Sequence, residues 1–290
     1  SAGTVHTCAI LDNGDLKCWG HDGYGQLGDG GSNTNLNAPS STAIDLGTGR
    51  TAVAVSAGAY HTCAILDNGD LKCWGWDDYG QLGDGGTNTD TNAPLSTAID
   101  LGTGRTAVAV SAGAYHTCAI LDNGDLKCWG WDDYGQLGDG GTNTDTNAPS
   151  STAIDLGTGR TAVAMSTGET HTCAILDNGE AKCWGRDLFG QLGDGGSNTA
   201  TNAPSSTAID LGTGRTMAVS ERDLDGDGVL NIFDSTPYPP TTNPSNPLPQ
   251  RNVAGFQEGS IFTNQTLASG GSHTCAIIDN GSVSCWGDGA

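Results

Sequence analysis

The stretch HTCAILDNGDLKCWG, residues 61–75, decides the fold of this chain because it recurs at a fixed interval. The segment HTCAILDNG begins at His6, His61, His116 and His171, and a fifth relative, HTCAIIDNG, begins at His273. Self-similarity at a fixed period is the sequence signature of a repeat architecture. We therefore expect four full 55-residue units and a split or partial fifth unit.

Each unit is rich in short β-prone runs. CAIL, LKCW and TAVAV lie between Gly-rich turns, and no segment reads as an amphipathic helix. About four short strands per unit predict an all-β fold, a β-propeller, although a β-solenoid would also give a fixed period. If residues 12–14 form a three-residue loop with Gly14 in the left-handed region, Cys8 lies opposite Cys18.

Ten cysteines recur in register with the repeats. An even count at constant spacing favours one disulfide per unit and an oxidising location, extracellular or at the cell surface. Two alternatives stay open at this point: zinc held by His6, Cys8 and Cys18, and buried free thiols. The predicted pairs are Cys8 with Cys18, Cys63 with Cys73, Cys118 with Cys128, Cys173 with Cys183, and Cys275 with Cys285.

These motifs resemble a known family. His-Thr-Cys-Ala-Ile, Asp-x-Gly, Cys-Trp-Gly and Tyr-Gly-Gln-Leu-Gly are similar to the regulator of chromosome condensation repeat, and the likeness covers residues 1 to about 219 and about 247 to 290. The resemblance implies a seven-bladed β-propeller in which His6, Trp19 and Gly20 are blade-forming residues. The founding members exchange guanine nucleotides and bind chromatin, whereas secreted, disulfide-containing relatives bind proteins, including β-lactamases. Here four full units and one partial unit are visible.

Composition restricts the partners. Eleven Lys and Arg against 33 Asp and Glu give a formal net charge of -22, which argues against nucleic acid, so the chromatin role does not transfer. No apolar run approaches the roughly 20 residues of a membrane helix, so we expect no membrane insertion.

The near-identity of the units argues against an enzyme. Units 56–110 and 111–165 differ only at Leu95 against Ser150 and at Val110 against Met165, whereas a single active site requires one unit to diverge. No Gly-x-Ser-x-Gly or phosphate loop is present. Trp76 and Trp131, in the repeated WDDYG, are a candidate ligand surface. We expect them to be exposed.

The repeat array, residues 1–220, is followed by a candidate calcium loop within residues 221–236. DLDGDGVLNIFD, residues 223–234, resembles thrombospondin type 3 and dockerin repeats, with alternating carboxylates and a Gly at the sharp turn. It implies one structural Ca²⁺. The predicted ligands are Asp223, Asp225, Asp227, Val229, Asn231 and Asp234.

A Pro-rich linker, residues 237–249, precedes a C-terminal partial repeat, residues 250–290. Asn264 and Asn280 are candidate glycosylation sites. The partial repeat completes a propeller either in its own chain or in a neighbouring subunit. We therefore expect a non-enzymatic extracellular structural or adhesive protein, a bead-on-a-string filament subunit that associates head to tail. The alternative is a monomeric secreted propeller that binds a protein or a carbohydrate, as an inhibitor or a lectin-like module.

Overall fold

The computed structural model describes residues 1–196, 198–212, 216, 267–278 and 283–288. Every regular element in these ranges is a β-strand, so the all-β prediction is confirmed for them. The strands are β1 (His6–Ile10), β2 (Leu16–Gly20), β3 (Ala52–Ala57), β4 (His61–Leu66), β5 (Leu71–Gly75), β6 (Ala107–Ala112), β7 (His116–Leu121), β8 (Leu126–Gly130), β9 (Ala162–Thr167), β10 (His171–Leu176), β11 (Ala181–Gly185), β12 (Leu267–Ser269), β13 (His273–Ile277) and β14 (Val283–Gly287).

The strands form five small antiparallel sheets, named here blades 1 to 5. Blade 1 is β1–β2, and blades 2 to 5 are β3–β5, β6–β8, β9–β11 and β12–β14. The prediction of four strands per unit was wrong: each complete blade has three, and an isolated bridge, Gly75 to Thr91 in blade 2, stands where a fourth would lie. Residues 76–90 cannot extend because Gly80, Gly83 and Gly85 have positive φ and turn the chain.

The hairpin at the centre of each blade has the predicted loop. In blade 1, Leu11 N–H donates to the Asp15 carbonyl, so residues 12–14 form a three-residue loop with Gly14 at φ 81°. This loop places Cys8 directly opposite Cys18, as expected. Cys8 N–H donates away from its partner strand, to the Ser1 carbonyl, so the two cysteines form the closely spaced, non-hydrogen-bonded kind of pair.

All five predicted disulfides are present, with Cα–Cα distances of 4.0–4.1 Å. No free cysteine is left among the ten, all of which the structure describes. The zinc site and the buried free thiols, left open above, are therefore both wrong.

Each of blades 2 to 4 has a forward face that meets the next blade and a backward face that meets the previous one. The forward face of blade 2 carries the Cys63–Cys73 disulfide, Ile65 and Leu71, which form one buried cluster with residues of blade 3 that include Leu121 and Trp129. The same arrangement recurs between blades 1 and 2. The core is thus a series of similar apolar layers between blades rather than one central cluster.

The C-terminal strands pack on blade 4 of the same chain. Ser269 N–H donates to Ser166 Oγ at 2.8 Å, and β13 and β14 occupy the place of a fifth repeat. Ser1–Val219 and Thr266–Ala290 make up one compact unit. The predicted calcium loop, the Pro-rich linker, Asn264 and Asn280 lie outside the described residues. In the part of the chain that is described, no helix is long and apolar enough to cross a membrane.

Candidate functional site

A four-residue polar network joins blade 1 to blade 2, blade 2 to blade 3, and blade 3 to blade 4. His61 Nε2 lies 2.8 Å from Thr117 Oγ1, and the Thr117 hydroxyl donates to the Gln81 carbonyl at 2.8 Å. Trp129 Nε1 donates to the same carbonyl at 3.0 Å. The histidine–threonine contact recurs at all four blade interfaces, at 2.7–2.9 Å: His6 with Thr62, His61 with Thr117, His116 with Thr172, and His171 with Thr274.

The network fixes the protonation state of the histidines. Because Thr117 gives its proton to Gln81, its oxygen accepts from His61, so His61 is the neutral tautomer protonated on Nε2. His61 Nδ1 is buried and without a partner. Burial, with a smaller effect of His6, lowers the pKa of His61 to about 3.

A histidine beside a hydroxyl is also the geometry of a general base and its nucleophile. Here His61 and Thr117 are both fully buried, and the hydroxyl proton points at a backbone carbonyl. No substrate can reach the pair. The network therefore has a structural role, which is to hold neighbouring blades together.

A buried aspartate organises the loop that follows each of blades 1 to 4. Asp77 Oδ1 accepts from Leu82 N–H at 2.9 Å, whereas Asp77 Oδ2 is buried without a partner. Burial raises the pKa of Asp77 to about 7, and the neighbouring Asp84 and Asp90 add to the shift. The carboxyl group is thus partly protonated near neutral pH.

Seven aromatic residues form a continuous half-exposed surface at the end of the blades opposite the hairpin loops. Neighbouring ring centroids lie 5.2–6.0 Å apart, and most pairs meet edge to face, the favourable arrangement for aromatic rings. We call this surface the aromatic strip: Tyr24, Tyr60, Trp76, Tyr79, Tyr115, Trp131 and Tyr134.

The strip crosses blade boundaries. Tyr60 and Trp76 belong to blade 2 and are held together by the hydrogen bond from Trp76 N–H to the Tyr60 carbonyl. Tyr79, in the loop of the same blade, reaches Tyr115 and Trp131 of blade 3, at 6.0 and 5.8 Å. A ligand lying along the strip would touch several repeats at once.

The two predicted ligand-surface residues both lie in the strip. Trp76 is half-buried rather than freely exposed, because it contacts four other rings. Sequence reasoning missed Tyr24, Tyr60 and Tyr115. The hairpin register could have revealed Tyr60 and Tyr115. In blade 2, for example, His61 pairs with Gly75, so the residues just beyond them, Tyr60 and Trp76, must be neighbours.

The described residues hold no group of three or more His, Cys, Asp or Glu side chains that could bind a metal. The predicted calcium ligands are not among them. One open cleft of about 480 Å³ is lined by Asn33 and residues 90–96, a set with one carboxylate and no basic side chain.

Comparison with known proteins gives a consistent family. Models described as "Regulator of chromosome condensation (RCC1) repeat" match residues 1–26, 52–81, 107–136 and 162–191, and residues 68–120 and 123–175, together more than half of the chain. The chain is 32% identical over 197 residues to the ultraviolet-B receptor UVR8 of Arabidopsis thaliana, which is 68% of this chain and 43% of the receptor.

Two further comparisons show how far the likeness to known proteins extends. The E3 ubiquitin-protein ligase HERC2 of Homo sapiens is 30% identical over 186 residues, 64% of this chain but only 4% of the ligase. The structure of yeast RCC1 (Prp20) bound to Kap60 matches with a TM-score of 0.63 at 19% identity, covering 100% of this chain and 69% of that chain. This likeness shows the fold alone. The chain spans less than half of both curated relatives, so their activities do not transfer with the repeats.

Proposed function

Because the chain belongs to the regulator of chromosome condensation (RCC1) repeat family, we propose that it uses the blades of that family as a non-enzymatic structural protein outside the cell, assembled head to tail. The observation that carries this proposal is a pair of complementary open faces, one on blade 5 and one on blade 1. The five disulfides support an extracellular or cell-surface location.

The forward face of blade 5 is open. Ile277 and Val283 are 38% and 65% exposed, whereas Ile65 and Leu71, their counterparts in blade 2, are 2% and 0% exposed. His273 is exposed as well, while His61 is buried against Thr117. The apolar and polar halves of a blade interface are thus present, and no blade formed by the described residues covers them.

The backward face of blade 1 is the matching half. Leu11 is 40% exposed, and Thr7 and Trp19 are half-exposed, although the corresponding residues of blade 2 are buried. Among the described residues, no hydrogen bond joins blade 1 to blade 5. In our proposal a second copy covers each open face, and His273 of one copy donates to Thr7 of the next, as at the four interfaces within the chain.

The proposed assembly also includes the predicted segments outside the described residues. A Ca²⁺ ion in residues 223–234 would set the geometry of the segment between the repeats and the C-terminal hairpin, and sugars on Asn264 or Asn280 would decorate it. Both remain predictions.

The test compares assembly of the wild-type chain with that of Val283→Asp, by sedimentation velocity over a concentration series and by negative-stain electron microscopy. A charge on the open face of blade 5 should abolish the growth of larger species. The matched control is Val53→Asp, which places the same charge on a 44% exposed valine of blade 2. A wild-type chain that stays monomeric at high concentration with calcium overturns the proposal.

The aromatic strip favours a second candidate, a secreted propeller that binds a protein or a carbohydrate. Half-exposed tyrosines and tryptophans are the residues that dominate binding surfaces, because each presents a large rigid area at low entropic cost. This role and head-to-tail assembly use different surfaces, so one chain can perform both.

A further inference from the structure

We propose that the aromatic strip binds guanidinium groups of an arginine-rich segment of a partner protein. This inference rests on the second candidate function above and not on head-to-tail assembly. It commits to the ligand's chemistry, which neither the family nor the repeat pattern specifies.

The first observation is a guanidinium already seated at the end of the strip. His21, Trp76, Trp131 and Arg186 occupy equivalent positions in the four units. Tyr79 packs against Trp131 with centroids 5.8 Å apart, and in the next unit Tyr134 packs against Arg186, whose Cζ lies 4.9 Å from the ring centroid. The same seat on a tyrosine thus accepts an indole or a guanidinium. Arg186 is an internal example of the contact that an external arginine would make along the strip.

The second observation is the charge beside the rings. Asp78 and Asp133 follow Trp76 and Trp131 by two residues, and both are exposed. Glu169 is also exposed and lies close enough to Tyr115 to raise the pKa of that phenol, after the larger effect of burial. Carboxylates next to aromatic faces attract a cation and disfavour an anion.

The arginines of the described residues leave most of the strip accessible. Arg50, Arg105 and Arg160 pair with Asp67, Asp122 and Asp177 at 3.1–3.2 Å. These pairs lie at the hairpin loops, the opposite end of the strands. Among the described residues, Arg186 is the only arginine that contacts a ring of the strip.

The geometry favours arginine over lysine. A planar guanidinium stacks on an aromatic face while its N–H groups still donate to a neighbouring carboxylate, whereas an ammonium is a compact, strongly hydrated charge. Trp76 and Trp131 present partly exposed rings in two consecutive blades, which calls for several arginines in one extended segment. Multiple weak contacts then add through one ligand.

The experiment measures binding of a fluorescein-labelled (Arg-Gly)6 peptide by anisotropy at physiological salt, with (Lys-Gly)6 and a neutral oligosaccharide as comparison ligands. The full chain carrying Val283→Asp is used, so that failure of the assembly proposal does not affect the result. We expect the arginine peptide to bind at least about five-fold more tightly than the lysine peptide. Equal affinity for the two peptides, or no binding of the arginine peptide, overturns the inference.

Two sets of variants locate the site. Trp76→Ala with Trp131→Ala should weaken arginine-peptide binding about ten-fold or more, since each cation–π contact at a half-exposed ring contributes on the order of 1–2 kcal/mol, equivalent to about five- to thirty-fold. Trp76→Tyr with Trp131→Tyr keeps a ring at both positions and should retain most of the affinity.

Asp78→Asn with Asp133→Asn should weaken binding of the arginine peptide and flatten the salt dependence of that binding. Because this variant changes only exposed side chains, it tests the site even where the alanine variant does not fold. Asp70→Asn with Asp125→Asn is the matched control, because it removes the same charge from the same blades at the hairpin end. Equal losses in the two aspartate pairs would show nonspecific attraction and overturn the inference. Binding of the oligosaccharide in place of the arginine peptide would assign the strip to sugars instead.

Discussion

Gly83 lies against the indole of Trp129, and a Cβ atom at residue 83 would overlap Trp129 Nε1 and Cε2. The loop of blade 2 therefore closes over the tryptophan of blade 3 only because residue 83 has no side chain. The same relation recurs between Gly28 and Trp74 and between Gly138 and Trp184. The glycine is part of the blade interface as much as of the turn.

Gly83→Ala should destabilise the chain more than Gly104→Ala. Both glycines have similar backbone angles, φ +73° and φ +70°, so both variants carry about 1–2 kcal/mol of left-handed strain. Gly104 has open space around it, whereas alanine at 83 must displace Trp129, which adds about 1–3 kcal/mol. Urea unfolding of the two variants measures the difference. Equal free energies of unfolding would show that the contact is unimportant.

The buried histidines should make the fold sensitive to acid. Burial lowers the pKa of His116 to about 3, below the value of 6.5 in an unfolded chain, so its contribution is present above pH 6.5 and is lost as the pH falls toward 3. His116→Gln removes one such group while a side-chain amide can still donate to Thr172. Its free energy of unfolding should fall less steeply on acidification, by about 1.4 kcal/mol per pH unit. Parallel pH curves for wild type and variant would contradict this assignment.

Asp77 should have the opposite pH dependence. Burial raises the pKa of Asp77 to about 7 from an unfolded value near 3.8, so its stabilising contribution is present below pH 3.8 and is lost as the pH rises through 7. Asp77→Asn keeps an oxygen for Leu82 N–H and cannot ionise. The stability of this variant relative to wild type should increase between pH 4 and pH 7 and then level off, as measured by thermal unfolding. Asp78→Asn, at the exposed neighbour, controls for the change in net charge.

Removal of one disulfide should weaken a blade without abolishing the fold. Cys63→Ala with Cys73→Ala opens a short loop, for which the chain-entropy model gives a loss of about 2–3 kcal/mol in the free energy of unfolding. Chemical denaturation under non-reducing conditions measures it. In the wild type a denatured, unreduced sample should show no reactive thiol. Ten reactive thiols would disprove the disulfides and, with them, the argument for an oxidising compartment.

The predicted calcium loop requires a direct binding measurement. Asp225→Ala removes a carboxylate at the third position of the loop motif and should abolish Ca²⁺ binding in isothermal titration calorimetry. Asp12→Ala, at an exposed hairpin aspartate, should leave the binding unchanged. A wild-type chain that binds no Ca²⁺ removes the ion from the proposed assembly.

The sequence predicted most of what depends on local register. The loop at Asp12-Asn13-Gly14 fixed the pairing of Cys8 with Cys18, because a three-residue loop with a left-handed glycine permits one register. The number of strands per blade was wrong, because it was taken from the general pattern of propeller blades, whereas each unit has three β-prone runs and residues 76–90 turn at Gly80, Gly83 and Gly85.

Contacts between blades were beyond the sequence pattern. The partners His61 and Thr117 are 56 residues apart, and their meeting depends on how one blade stacks on the next. Only part of the aromatic strip could be predicted, for the same reason. Trp76 and Trp131 were evident as repeated residues, but the contact of Trp76 with Tyr24 and that of Trp131 with Tyr79 each cross a blade boundary. Arg186 over Tyr134 could be found only once the loops had been placed in space.

Every disulfide closes within one blade, and none of the five crosses from one blade to another. Under tension the blades can therefore separate one at a time without breaking a covalent bond. Each complete 55-residue unit that peels away keeps its 10-residue cysteine loop closed and releases about 45 residues, on the order of 150 Å of contour length. A filament of such units would lengthen in equal steps under load. It would re-form when the load is removed, because the disulfide-bonded hairpins stay closed and refolding can start from them.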